Sequence, residues 1–150
     1  MAPEDISLKY TPFPALSRQT TGTVNGIKTD ASSIYFADRI LITISQGERL
    51  AHWVEVALSS ASSNQLGNTL PPDDETNLLP QTHLTPKTLL GASNEQRDTL
   101  CHLYATHIAD QISRRDLNDS RTVLVGLGLE RIDLQREAFF DMMELVQEII

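Results

Sequence analysis

The chain has 150 residues, 40% of them apolar and 21% charged, with a formal net charge of −8. That length suits one domain with a hydrophobic core of its own. The acidity excludes a nucleic-acid binder, which must concentrate Lys and Arg against phosphates, and excludes docking on an anionic membrane for the same reason.

Residues 1–14 carry Pro3, Pro12 and Pro14 among polar residues and read as a flexible arm. Met1-Ala2-Pro3-Glu4-Asp5 lacks the basic and apolar regions of a signal peptide. No apolar run approaches the roughly 20 residues of a membrane span. A single cysteine, Cys101, excludes an internal disulfide framework and fits a reducing compartment, so the expected location is the cytoplasm, with the nucleus as a second site.

Leu16–Val24 is weakly patterned but runs into Asn25-Gly26, a strong two-residue hairpin signal because both positions accept positive φ. Ile27–Phe36 is the return strand. After Ala37-Asp38, Arg39–Ser45 alternates cleanly, with Ile40, Ile42 and Ile44 on one face and Leu41, Thr43 and Ser45 on the other. Gln46-Gly47-Glu48 turns the chain into Leu50–Leu58, where Val54 and Val56 oppose Trp53 and Ala57. Sequential strands with short turns predict an antiparallel meander.

Residues 59–83 change composition abruptly to Ser, Asn, Pro and Asp. Such a stretch buries too little to offset its ordering entropy and reads as a disordered insertion, its end adding a short edge strand near Leu84–Leu90. Ser93 and Gln96 have the spacing of a capping box at the start of a helix over Asn94–Arg114. Leu100, Tyr104, Ile108 and Ile112, widened by Cys101 and Ala105, give that helix one core-seeking face, and Arg114-Arg115 suits its C-terminal dipole. Beyond a polar turn, Thr122–Leu129 is apolar on both faces, as a central strand should be. Asp133 is a plausible N-cap for a last helix over Leu134–Ile150. Ala138, Met142, Leu145 and Ile149, with Phe139, Met143, Val146 and Ile150 beside them, make a stripe broad enough to pack on two sides.

The expected fold is α+β: a single antiparallel sheet of five or six strands, two long helices on one face and the other face used for dimerisation. The core face carries Ile40, Ile42, Ile44, Val54, Val56, Val123, Val125 and Leu127. The opposite face carries Leu41, Thr43, Ala51, Trp53, Ala57, Leu124, Gly126 and Gly128, a set too apolar to leave to water and small enough to admit a second sheet.

Residue chemistry offers no catalytic, cofactor or metal site. His102 and His107 diverge by about 140° around a helix, whereas a zinc helix needs a four-residue spacing. Cys101 falls on the apolar side of its helix, and Cys101 with His102 is the one weak enzymatic alternative. Gly126-Leu127-Gly128 begins like a dinucleotide loop, but the glycines lie inside the apolar run and Arg131 stands where a third glycine belongs. Their expected role is to admit another backbone or layer.

The run Leu84-Thr85-Pro86-Lys87-Thr88-Leu89-Leu90-Gly91, the long helix after it and Val123-Leu124-Val125-Gly126-Leu127-Gly128-Leu129 together resemble proteasome assembly chaperone 3. Ile40-Leu41-Ile42-Thr43-Ile44-Ser45-Gln46 resembles that family's central strand. The likeness covers about Leu16 to Ile150 in the right order, the longer insertion apart. It implies one such domain over residues 1–150, a non-enzymatic chaperone without cofactor. It implies a dimer, with itself or with proteasome assembly chaperone 4, that binds an α-type subunit, the fifth, during assembly of the 20S proteasome α-ring. For that client the polar rim of Arg114, Arg115, Asp116 and Asp119, where the first helix ends, is the candidate docking surface. A small dimeric scaffold with another client is the alternative.

Overall fold

The structure, a computed structural model, describes residues 15–58, 84–91, 94–132 and 134–150. The expected arm at 1–14 and the whole of the expected insertion at 59–83 lie outside the described residues, as do Ser93 and Asp133. One sheet holds β1 (Leu16–Val24), β2 (Ile27–Tyr35), β3 (Arg39–Gln46), β4 (His52–Ala57), β5 (Pro86–Leu90) and β6 (Thr122–Gly128), in the order β1-β2-β3-β6-β4-β5. Two helices complete the α+β fold, α1 (Glu95–Arg115) and α2 (Arg136–Gln147).

The first hairpin forms as its turn demands: Asn25 and Gly26 take φ of 48° and 77°, and β1 pairs with β2 in register from Leu16↔Tyr35 to Val24↔Ile27. Two expectations about topology need correction. The meander stops after β3, because β6 lies between β3 and β4. The sheet is also mixed, since β3 and β6 run parallel, Ile40 beside Val123 and Ile44 beside Leu127. The reason lies in the connection. After the edge strand β5, α1 carries the chain back across the sheet, and a helical crossover returns a strand in the direction it left. Strand period and turn residues read each element but do not say which neighbours it will choose.

The link from β3 to β4 must therefore pass over the end of β6. Gly47 and Glu48 turn with φ of 66° and 56°. Ala51 then donates its N–H to the Leu127 carbonyl at 3.0 Å. A Cβ at Gly128 would fall on the carbonyl of Arg49, so the glycine is what lets this backbone lie flat across β6.

All eight residues expected on the core face are buried, none more than 1% exposed. Both helices cover that face. α1 lies over β4, β5 and β6 with Leu100, Tyr104, Ala105, Ile108 and Ile112 buried, and α2 lies over β1. The second side of α2 is satisfied by α1, with Phe139 stacked on Tyr104 at 5.3 Å between ring centroids. The end of the chain is pinned to the sheet, Ser33 Oγ donating to the Ile149 carbonyl at 2.6 Å. The helix starts differ slightly from expectation. Asn94 caps α1, its Oδ1 accepting the Arg97 N–H at 3.2 Å, and α2 begins after Gln135 without a side-chain cap.

Candidate functional site

The sheet face away from the helices is built by strand alternation. Leu41 and Thr43 of β3, Leu124 and Gly126 of β6, and Trp53 and Ala57 of β4 all point there, because their neighbours fill the core. Leu41, Thr43, Trp53, Ala57 and Leu124 are only half-buried. Leu41 sits beside Leu124, and Trp53 is paired with Gly126, its indole lying where a Cβ on the glycine would be. The space at Gly126 and Gly128 is thus taken by this chain's own Trp53 and Arg49 backbone. Ala51 lies in the link before β4, exposed at the rim. Sequence reading missed Ile34, which pairs with Leu41, and Leu90, which pairs with Trp53 and is 65% exposed. It also missed Glu55, which stands among these residues with Lys87 as its cross-strand neighbour. Ile34 and Glu55 carry the same alternation signal as Leu41 and Trp53. Leu90 could not be found that way, because a register shift beside Trp53 breaks the count.

The second candidate surface is where α1 ends. The structure brings Arg114, Arg115, Asp116 and Asp119 together but gives them unequal freedom. Arg114 Nε donates to Asp110 at 2.9 Å, one turn back and nearly buried. Asp119 is held by Arg121 through two hydrogen bonds of 2.9 and 2.7 Å, which keep its carboxyl below the ordinary value. The stability from that pair is present at neutral pH and is lost as the pH falls through the lowered carboxyl pKa. Asp116 accepts the Asn118 N–H at 2.9 Å and is exposed, as is Arg115.

The family model for proteasome assembly chaperone 3 matches residues 42–149, well over half the chain. The chain belongs to the proteasome assembly chaperone 3 family. No curated protein sequence matches it. Among solved structures, a chain from the crystal structure of a chaperone complex for yeast 20S proteasome assembly is similar, with a TM-score of 0.59 and 15% identity. The similarity covers 89% of this chain and 97% of that one, and at this identity it speaks to the fold alone.

In this member of the proteasome assembly chaperone 3 family, the groups that an enzyme would need are occupied in packing. Cys101 is 1% exposed, and burial, offset in part by Arg97, pushes its thiol up to about 11. A thiol that stays protonated at pH 8 is a poor nucleophile. His102 is hydrogen-bonded to Thr88 Oγ1 at 2.6 Å, His107 packs edge-on to Phe139, and buried His52 meets Asp98 at 3.2 Å. Among the described residues no three metal-ligating side chains converge. Dithionitrobenzoate at pH 8 should therefore leave Cys101 unlabelled in the native protein and label it fully in guanidinium. Rapid labelling with native circular dichroism would contradict its inertness.

Proposed function

We propose that this protein is a non-enzymatic chaperone that binds an α-type subunit during assembly of the 20S proteasome α-ring, acting as a dimer through the open face of its sheet. The observation that carries the reading is that face: Thr43 of β3, Trp53 and Ala57 of β4 and Leu124 of β6 lie within the family-matched residues and are half-exposed on three neighbouring strands. A contiguous patch of that kind marks an interaction site. The partner is a second copy or proteasome assembly chaperone 4, and a partner sheet would pack at about 10 Å, as in a sandwich. With that face consumed, the client, the fifth α-type subunit, docks on the polar rim at the end of α1. The setting is the cytoplasm, with the nucleus as a second location, and the 150 residues act as one domain.

Affinity capture from native extract followed by mass spectrometry tests this. Recovery of α-type subunits without mature β subunits is the expected result; their absence would sink the proposal. Within the rim, Arg115→Glu should weaken capture several-fold while leaving the fold and the dimer intact, since it removes a rim charge of the kind that steers encounter. Arg114 is the wrong residue to reverse, because a glutamate there would face the nearly buried Asp110. Unchanged capture by Arg115→Glu would move the docking surface elsewhere.

A further inference from the structure

One row of side chains crosses the open face from strand to strand. Ile34 stands beside Leu41, Leu41 beside Leu124, Leu124 beside Glu55, and Glu55 beside Lys87. The row is apolar at its β2 end and charged at its β5 end, so the face has a direction. Glu55 is half-buried and Lys87 exposed, and neither side chain makes an ion pair or a hydrogen bond among the described residues. The other charges that the strands place on this face are engaged or lie off the row. Asp30 accepts from the Thr21 hydroxyl at 2.7 Å, and Arg39 lies 3.8 Å from Asp38. Lys28 pairs with Thr23 beside the first hairpin turn. Along β4, Glu55 is flanked by a large residue and a small one, Trp53 and Ala57.

A second sheet laid over Glu55 takes its carboxylate out of water, at a cost that an opposed cation offsets. Two ways of laying this face on a copy of itself keep the strands aligned. A two-fold axis along the strands runs the row against its own reverse, so full overlap sets Glu55 and Lys87 over leucine and isoleucine. A two-fold axis along the row sets like over like. Leu41 and Leu124 then meet their counterparts, and Trp53 falls over the small Ala57 of the other copy. Each Glu55 also comes within a diagonal step of the opposed Lys87. The step is about 4.8 Å sideways between sheets about 10 Å apart, which two long side chains span from opposite sides.

We propose that the partner on the open face is a second copy of this chain, seated by two reciprocal ion pairs, Glu55 of each copy with Lys87 of the other. This rests on the dimer reading above and names its partner. Isologous contact makes each pair twice, and a face with no cation over Glu55 is rejected.

The test is charge exchange between copies, read by sedimentation over a dilution series with circular dichroism as the check on folding. Glu55→Lys opposes lysine to lysine at both contacts, and Lys87→Glu opposes glutamate to glutamate. Each variant by itself should raise the dimer dissociation constant about a hundredfold. Mixed together they should recover a dimer within about tenfold of wild type, because every lysine then meets a glutamate of the other copy. A role confined to cross-strand neighbours within one chain predicts no recovery, since mixing leaves each chain's own like pair in place. Two folded variants that fail to pair when mixed, or either one dimerising like the wild type, overturn the proposal. If a reversal unfolds the chain, Glu55→Gln and Lys87→Gln replace it. Each should raise the constant about tenfold and the two in one chain no further, whereas additive losses overturn the proposal. A wild-type chain that stays monomeric yet binds proteasome assembly chaperone 4 with a change in Trp53 emission refutes the second copy and leaves the dimer reading standing. A wild-type chain that pairs with neither refutes both.

Discussion

Replacing Gly128 with Ala should destabilise the fold by about 3 kcal/mol or more, the upper range for forcing a methyl group into occupied space. The obstacle is backbone, not a side chain that can swing away: the new Cβ would meet the carbonyl of Arg49 and the adjoining Leu50 nitrogen. That backbone belongs to the link that carries β3 over the end of β6 to β4, and the link is anchored by Ala51 N–H on Leu127. Relief requires lifting the link, which breaks the anchor, or displacing the central strand. Gly26, whose Cβ would meet open space, is the comparison: Gly26→Ala should cost only about 1 kcal/mol, through its φ of 77°. Urea unfolding of the two variants checks this. A Gly128→Ala midpoint equal to that of Gly26→Ala would mean that the link does not lie against β6.

Leu124→Lys should leave the fold intact and raise the dimer dissociation constant about a hundredfold, the scale of losing a central apolar anchor. Leu124 is half-buried on the open face and pairs across β4 with Glu55, so a lysine there finds a carboxylate within the chain. In a dimer closed over that face, the same charge would be driven into the interface beside Leu41. Sedimentation over a dilution series reads the change. A dissociation constant equal to that of the wild-type protein would place the interface elsewhere.

How much of this was legible in the sequence depends on the range of the signal. The alternation of Ile40, Ile42 and Ile44 against Leu41 and Thr43, the positive-φ turn at Asn25-Gly26 and the four-residue recurrence through Ile112 are local, and each gave its element and its buried face. The insertion of β6 between β3 and β4 is a long-range choice among strands of similar pattern, visible only once Gly128 is seen beneath the Arg49 backbone. The role of Gly126-Leu127-Gly128 as an admission for close neighbours was readable, but not that the neighbours would be Trp53 and the β3–β4 link. At the end of α1, the four charges were readable as a cluster; their unequal freedom was not, since it depends on Asp110 and Arg121.

The most direct test of the central claim, that the sheet face left bare by the helices is where this chaperone meets its partner, uses the chain's single tryptophan. Trp53 lies on that face between Leu90 and Gly126, so its emission reports contact there without a label. Emission should be recorded beside light scattering as the protein is diluted, and again as proteasome assembly chaperone 4 is added to dilute protein. The predicted result is a Trp53 emission that shifts to the blue as the dimer mass appears and returns to the red in Leu124→Lys. A dimer mass with Trp53 emission unchanged throughout, or a monodisperse monomer in both settings, would contradict the claim.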